Sequence, residues 1–243
     1  MTQLSIAELA ALAAETDDQT EVVQGGDFER RVPVAGLTVA RYIKYTELGV
    51  HRSKPYNGKP KPDADKVRLV FELLSEKKGN IYEVDVEGGK KKLTEKITVT
   101  LAKKQNERAG FKKLFDKMVY GRTDIRHMAQ MLGEAFLVTI IHGKSADEKE
   151  TYANIRDKEG NWYIGAPQQV IEHAIAGTKE VKQVPVPEQL TPSRIFLFNN
   201  PTKETWDSLF IDGTRTVKNA QGIEVEESKN WLQELIQSAK NYK

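Results

Sequence analysis

The chain has 243 residues, of which 39% are hydrophobic and 30% charged, with a formal net charge of +2. No apolar run approaches the roughly eighteen residues of a spanning helix, and the N-terminus lacks the basic-then-apolar order of a signal peptide. With no cysteine, disulfides, thiolate zinc sites and cysteine nucleophiles are excluded, and a reducing cytoplasm is the simplest setting.

The small net charge hides an asymmetry. Residues 1–29 carry seven acids and no Lys or Arg, whereas residues 30–122 carry 23 Lys or Arg against 11 acids. Residues 123–243 are mildly acidic, with 14 against 17. A strongly basic middle segment attracts polyanions and speeds their encounter. Charge alone also fits a solvated, lysine-rich surface.

Ser5 and Glu8 stand in capping-box spacing and predict a short helix from Ile6. An acidic connector follows, ending near Gly25-Gly26. Residues 37–48, rich in Val, Ile, Tyr and Thr, read as a long strand. Simple alternation puts Val39, Arg41, Ile43 and Tyr45 on one face, with Tyr42 and Leu48 on the other. Residues 66–74 alternate more clearly: Val67, Leu69, Phe71 and Leu73 face one side, and Lys66, Arg68, Val70 and Glu72 the other. Residues 81–86 and 95–102 read as two further strands, with EGGKKK as the candidate turn of a hairpin.

Phe111, Leu114, Phe115, Met118 and Val119 form a helical stripe. Ile125, Met128, Ala129 and Leu132 repeat it, and Gly133 suits a C-terminal stop. Residues 135–143 and 151–157 return to strand. The C-terminal third is less regular. QQVIEHAIAG reads as helix, VKQVPVPEQLTPS as an extended link, and RIFLF as a short strand. Asn200-Pro201 marks a helix start, and Ser228 caps a last helix with Trp231, Leu232, Leu235, Ile236 and Ala239 on one face.

The expected class is α+β, mainly β: an OB-like five-stranded barrel with a helical insertion between strands 3 and 4, plus N- and C-terminal helical extensions. The division is an acidic helix and linker over 1–30, the core over 31–160, and a flank packed on the core over 161–243.

Catalytic signatures are missing. There is no Walker loop and no G-x-G-x-x-G, and the four histidines (51, 127, 142 and 173) lack metal-ligand spacing. Pro62-Asp63 with Glu76-Lys77-Lys78 fits a loose nuclease pattern. A strand between them would hold the two acids roughly 30 Å apart, too far to share a metal. No catalytic residue, metal or cofactor is expected.

The positive elements converge instead. "RYIKYTELGVHRSKPYNGKPKP" ends in an arm carrying His51, Arg52, Lys54, Tyr56, Lys59 and Lys61. Single-stranded nucleic acid needs cations along the phosphate path and flat rings for unstacked bases. Arg41, Lys44, Lys66, Arg68 and Lys96 offer further cations from strands, and Lys90, Lys91 and Lys92 from the hairpin. Tyr42, Tyr56 and Tyr82 are the candidate rings; Tyr45 reads better as a core ring with a wet hydroxyl. Lys112, Lys113 and Lys117 read as a solvated helix face.

ARYIKYTELGVH, VRLVFELL, GFKKLFDKM, HMAQMLGEAFLVTI, YANI and IFLFNNPTKETWDSLFIDG resemble phage-encoded single-stranded DNA-binding proteins, over roughly residues 37–243. The resemblance implies an OB-fold core that coats single-stranded DNA in replication or recombination, without catalysis, in the host cytoplasm. Its implied partners are single-stranded DNA, duplex DNA and replication proteins. Many members end in an acidic tail; the last residues here, QSAKNYK, are basic. The acidic residues 1–29 are a candidate competitor for the basic face, or a solubility segment, or a helix that docks on a neighbouring subunit. The rival reading is a phage virion or assembly protein whose charged surface meets other proteins.

Overall fold

In a computed structural model, the described residues are 31–243 apart from 54, 56–57, 77–78, 87–88, 146–147, 174–177 and 219–221. The expected N-terminal helix and acidic connector lie outside them. Strand β1 (Gly36–His51) is the longest element, at 16 residues. It pairs antiparallel along most of its length with β2 (Ala64–Leu73). The register slips once between Tyr42 and Lys44 and again between Glu47 and Gly49. Each bulge adds one residue and turns the following side chains over. The first bulge therefore corrects the simple alternation: Tyr42 and Tyr45 both enter the main core, and Lys44 points to the other face.

The next segment also departs from the expected hairpin. β3 (Ile81–Val86) pairs with β4 (Gly89–Thr94) as a separate two-stranded arm, and β5 (Lys96–Ala102) returns to the main sheet beside β2. Helix α1 (Gly110–Val119) follows, burying Phe111, Leu114, Met118 and Val119 as its stripe predicts. The second helix shrinks to one 3₁₀ turn over Met128–Met131. Its start is closed early by the Gln130 side chain, which accepts from the backbone N–H groups of Arg126 and His127, each at 2.8 Å.

β6 (Ala135–Lys144) pairs antiparallel with the first half of β1. β7 (Thr151–Asn154) and β8 (Ile164–Gly165) both pair with β6. The segment read as helix from Gln168 is instead β9 (Gln168–His173), paired with β10 (Thr178–Gln183). Its β-branched Val170 and Ile171 favour that outcome. β11 (Arg194–Phe196) enters the main sheet parallel to the second half of β1. Helix α2 (Lys203–Asp207) starts two residues later than expected, with Thr202 as its cap. The arm β12 (Thr214–Lys218) and β13 (Glu224–Ser228) was not expected, and α3 (Trp231–Gln237) ends the fold.

The main sheet thus runs β5-β2-β1-β6-β7, with β11 and β8 alongside. This bears out a mainly β chain with a large antiparallel sheet and few helices. The sheet is open rather than closed, with β5 and β7 as its end strands. β7 is only four residues and pairs with the far end of β6, Ile141–Lys144, so it does not extend towards β5. α1 contacts β5 and β8 and covers the core face instead.

Two apolar clusters flank the sheet. The larger joins Tyr42, Tyr45, Leu69, Phe71 and Val99 to α1, the 3₁₀ turn and Phe136. The smaller, on the opposite face, joins Leu48, Phe196, Leu209 and Ile236, so α2 and α3 are held against one end of that face. Buried Glu47 ties the layers together. It accepts from Tyr45 Oη at 3.1 Å, Lys103 Nζ at 2.7 Å and the Phe198 backbone N–H at 3.0 Å. Residues 32–243 form one compact unit.

Candidate nucleic-acid interface

The face of the sheet opposite the main core is built from alternate residues of β11, β1, β2 and β5. The register aligns Arg194 with Lys44, Lys44 with Val70, and Val70 with Thr98. One row further, Phe196 aligns with Thr46, Thr46 with Arg68, and Arg68 with Thr100. Lys96 stands opposite Glu72 at one end, and Lys66 follows Arg68 at the other. From Lys96 to Lys66 the face spans about 20 Å along β2, at roughly 3.3 Å per residue.

Lys44, Lys66, Arg68, Lys96 and Arg194 therefore share one surface. Among the described residues, none of the five reaches a carboxylate within ion-pair distance. The acid on this face, Glu72, stands opposite Lys96 but is fully buried, and its carboxylate is occupied by the backbone N–H groups of Leu190 (3.1 Å) and Thr191 (2.9 Å). Burial holds the Lys44 ammonium below the ordinary lysine range, and Arg194, Lys96 and Arg68 push it the same way. Burial lowers Lys96 too, against the opposing pull of Glu72 and Glu95, and lowers Arg68.

An aromatic ring borders this surface. The Arg68 guanidinium lies over the half-buried Trp231 ring at 4.8 Å from its centroid. Trp231 begins α3, which the smaller cluster fixes through Ile236. Val50 accepts from the Lys240 N–H at 2.9 Å and donates to Asn241 Oδ1 at 2.8 Å, clipping the segment after α3 to the end of β1. The Arg194 guanidinium is held by the Ser208 carbonyl. Cations and ring are thus positioned by strands and by a docked helix.

The other expected contacts divide. Tyr42 is fully buried against Phe71, with ring centroids 5.1 Å apart, so it has no face for a base. Arg41 lies on the cationic side, but its guanidinium donates to the Gly133 carbonyl (2.6 Å) and the Pro187 carbonyl (2.7 Å) and acts as a tie. His51 ends β1 with Nε2 2.9 Å from the Leu48 carbonyl. Arg52 is exposed, and its carbonyl accepts from Lys66 Nζ at 2.9 Å. Lys59 and Lys61 are exposed on the arm, whereas Lys54 and Tyr56 lie outside the described residues. Lys90, Lys91 and Lys92 are exposed on the separate arm with Tyr82. There Lys90 Nζ lies 3.7 Å from the Glu83 carboxylate, and Lys92 also stands opposite Glu83.

Sequence reasoning missed Arg194 and assigned Trp231 to the apolar face of its helix. Asp63 and Glu76 stand beyond the two ends of β2, and Asp63 is ion-paired with Lys240. Among the described residues, no group of three His, Asp or Glu side chains gathers as a metal site, and no helix is long and apolar enough to cross a membrane. The chain matches no protein-family model, no curated protein and no solved structure.

Proposed function

We propose that the face formed by β11, β1, β2 and β5 binds single-stranded DNA without catalysis, coating it during phage replication or recombination in the host cytoplasm. The observation that carries this reading is the set of Lys44, Arg68, Lys96 and Arg194 on one surface, without an ion-paired carboxylate among the described residues and beside the Trp231 ring. Cations meet phosphates and the ring meets a base; neither reads base edges, so binding is nearly independent of sequence.

Strand order supports the finer reading of an OB-type core. The order β5-β2-β1-β6-β7, with α1 between β5 and β6, is that of a five-stranded OB barrel opened between its third and fifth strands. On this reading β2 and β5 correspond to the strands whose outer face takes oligonucleotides in that fold. The resemblance of the ARYIKYTELGVH and VRLVFELL segments to phage single-stranded DNA-binding proteins points the same way.

The test is fluorescence anisotropy of a labelled oligo-dT of about thirty nucleotides at two salt concentrations, with a duplex competitor. Binding that weakens with salt at a log–log slope of about −0.7 per phosphate, and that single strands compete for better than duplex, supports the proposal. No binding at low salt overturns it and moves the search to acidic protein partners.

A further inference from the structure

A second cationic feature lies beyond the end of this face, at the start of α1. Arg156 follows β7 and lays its guanidinium over the Trp162 ring, 5.1 Å from the centroid. The Trp162 Nε1–H donates to the Gly110 carbonyl at 3.0 Å, fixing that ring against the first turn of α1. A Cβ at Gly110 would stand 3.3 Å from both terminal nitrogens of Arg156, so the missing side chain admits the guanidinium. Among the described residues the guanidinium has no hydrogen-bond or ion-pair partner, and its Nε is buried without one.

Arg156 lines a cleft of about 590 Å³ together with Lys61, Lys66 and Lys104. Among the described residues, no carboxylate lines it. Ala109, at the start of α1, supplies no side-chain cap, and Ala109, Gly110 and Phe111 also line the cleft. A cation beside a helix N-terminus is the unfavourable order for the helix dipole. Arg156, Lys66 and Lys104 gathered there create a potential that a small, multiply charged anion relieves. An arginine fork matches two phosphate oxygens at once, and ammonium groups add point charges around it. The volume lies within the range of small-molecule sites.

We infer that this cleft is a phosphate-binding site, meeting the sheet face at Lys66 and lying away from the Trp231 ring, that takes a phosphate monoester or pyrophosphate group. The group would come from a free nucleotide or from the 5′ end of a strand. Lys66 belongs to both surfaces, so a strand lying on the sheet could deliver its end there. The inference does not depend on the sheet face binding DNA.

The test is an NMR titration that follows the indole N–H signals, assigned by single tryptophan-to-phenylalanine variants. Sodium pyrophosphate should shift the Trp162 signal and leave that of Trp231 in place. The Lys61→Ala/Lys104→Ala variant, altered only at surface lysines, should need at least about tenfold more pyrophosphate, and Arg156→Lys several-fold more, because it keeps charge but loses the fork. Oligo-dT of equal length with a 5′-phosphate or a 5′-hydroxyl then separates the sources. Tighter binding of the phosphorylated strand assigns the site to strand ends, and equal binding assigns it to free nucleotides. No Trp162 shift at about 10 mM pyrophosphate, or a shift unchanged in the double lysine variant, overturns the inference. A Trp231 shift with oligo-dT reports on the sheet face alone, so the two readings fail separately.

Discussion

Lys44 and Arg194 stand directly opposite each other on the parallel strands β1 and β11, two cations in register with no carboxylate partner among the described residues. Like charges placed opposite each other destabilise a sheet by about 0.2–1 kcal/mol. Lys44→Met keeps the apolar stem and removes the repulsion, so the free protein should gain stability of that order at low salt. The gain should shrink as salt screens the pair. The pH dependence has a definite sign. The folded pKa of Lys44 lies below its unfolded value, so the cost of the charge is fully present below the folded pKa. It is relieved as pH rises through that value towards the ordinary lysine range near 10.4. Denaturant melts at neutral and alkaline pH should show the variant's advantage narrowing. The same variant should bind oligo-dT more weakly, with a salt slope shallower by about 0.7. A less stable variant with unchanged binding would remove Lys44 from the site.

Trp231 is the ring expected to stack. Base–aromatic stacking is worth about 1–3 kcal/mol per base, so Trp231→Ala should weaken oligo-dT binding by about 5- to 150-fold. Trp231→Phe should retain most of the affinity. In the wild type, intrinsic fluorescence should fall on titration with oligo-dT. The quench should survive Trp206→Phe, because Trp206 packs against Phe196 in the smaller cluster, with centroids 5.6 Å apart. A Trp231→Ala variant that binds like the wild type would show that no base stacks there.

Tyr42 separates a core role from a binding role. Among the described residues its buried hydroxyl has no hydrogen-bond partner, and burial followed by the Tyr45 charge raises its pKa well above the usual phenol value. An unsatisfied buried hydroxyl costs about 1–3 kcal/mol. Tyr42→Phe should therefore stabilise the protein by up to that amount and leave oligo-dT affinity unchanged. Thermal melts and anisotropy check both halves. A loss of affinity would return Tyr42 to the binding surface.

Local pattern carried much of the sheet and only part of the site. β2 was legible because no bulge interrupts its alternation, so Lys66 and Arg68 were assigned to the outer face correctly. β1 was legible as a strand but not in its facing, because two bulges reset the side chains: Gly49 marks the second, and nothing local marks the first, between Tyr42 and Lys44. Arg194 joins the site only through parallel pairing of β11 with β1, a long-range contact to which no local period points. Trp231 was visible as part of an apolar stripe. Its place at the margin of that stripe, over Arg68, depends on how α3 docks. The arm after β1 was the loudest signal in the sequence, yet Lys44, Arg68, Lys96 and Arg194, aligned on the strands, came together only through pairing.

The docking of the C-terminal segment is itself exposed to a one-atom test at Gly49. This glycine occupies the second bulge of β1 at φ +81°, a left-handed conformation that side chains disfavour. A Cβ there would stand 2.5 Å from Phe198 Cε2 and 2.7 Å from Ala239 Cβ. Gly49→Ala thus combines a strained backbone with a clash against the two residues that flank α2 and α3. Overpacking of this kind costs about 1–3 kcal/mol before the backbone term is added. The relief with least disruption is to lift the C-terminal segment from β1, which would move Trp231 away from Arg68. Gly49→Ala should therefore lower stability by at least about 1–3 kcal/mol and also weaken oligo-dT binding and its fluorescence quench. Limited proteolysis should cut the variant after residue 198 faster than the wild type. A variant that is destabilised yet binds and quenches normally when folded would show that the ring's position does not depend on this packing.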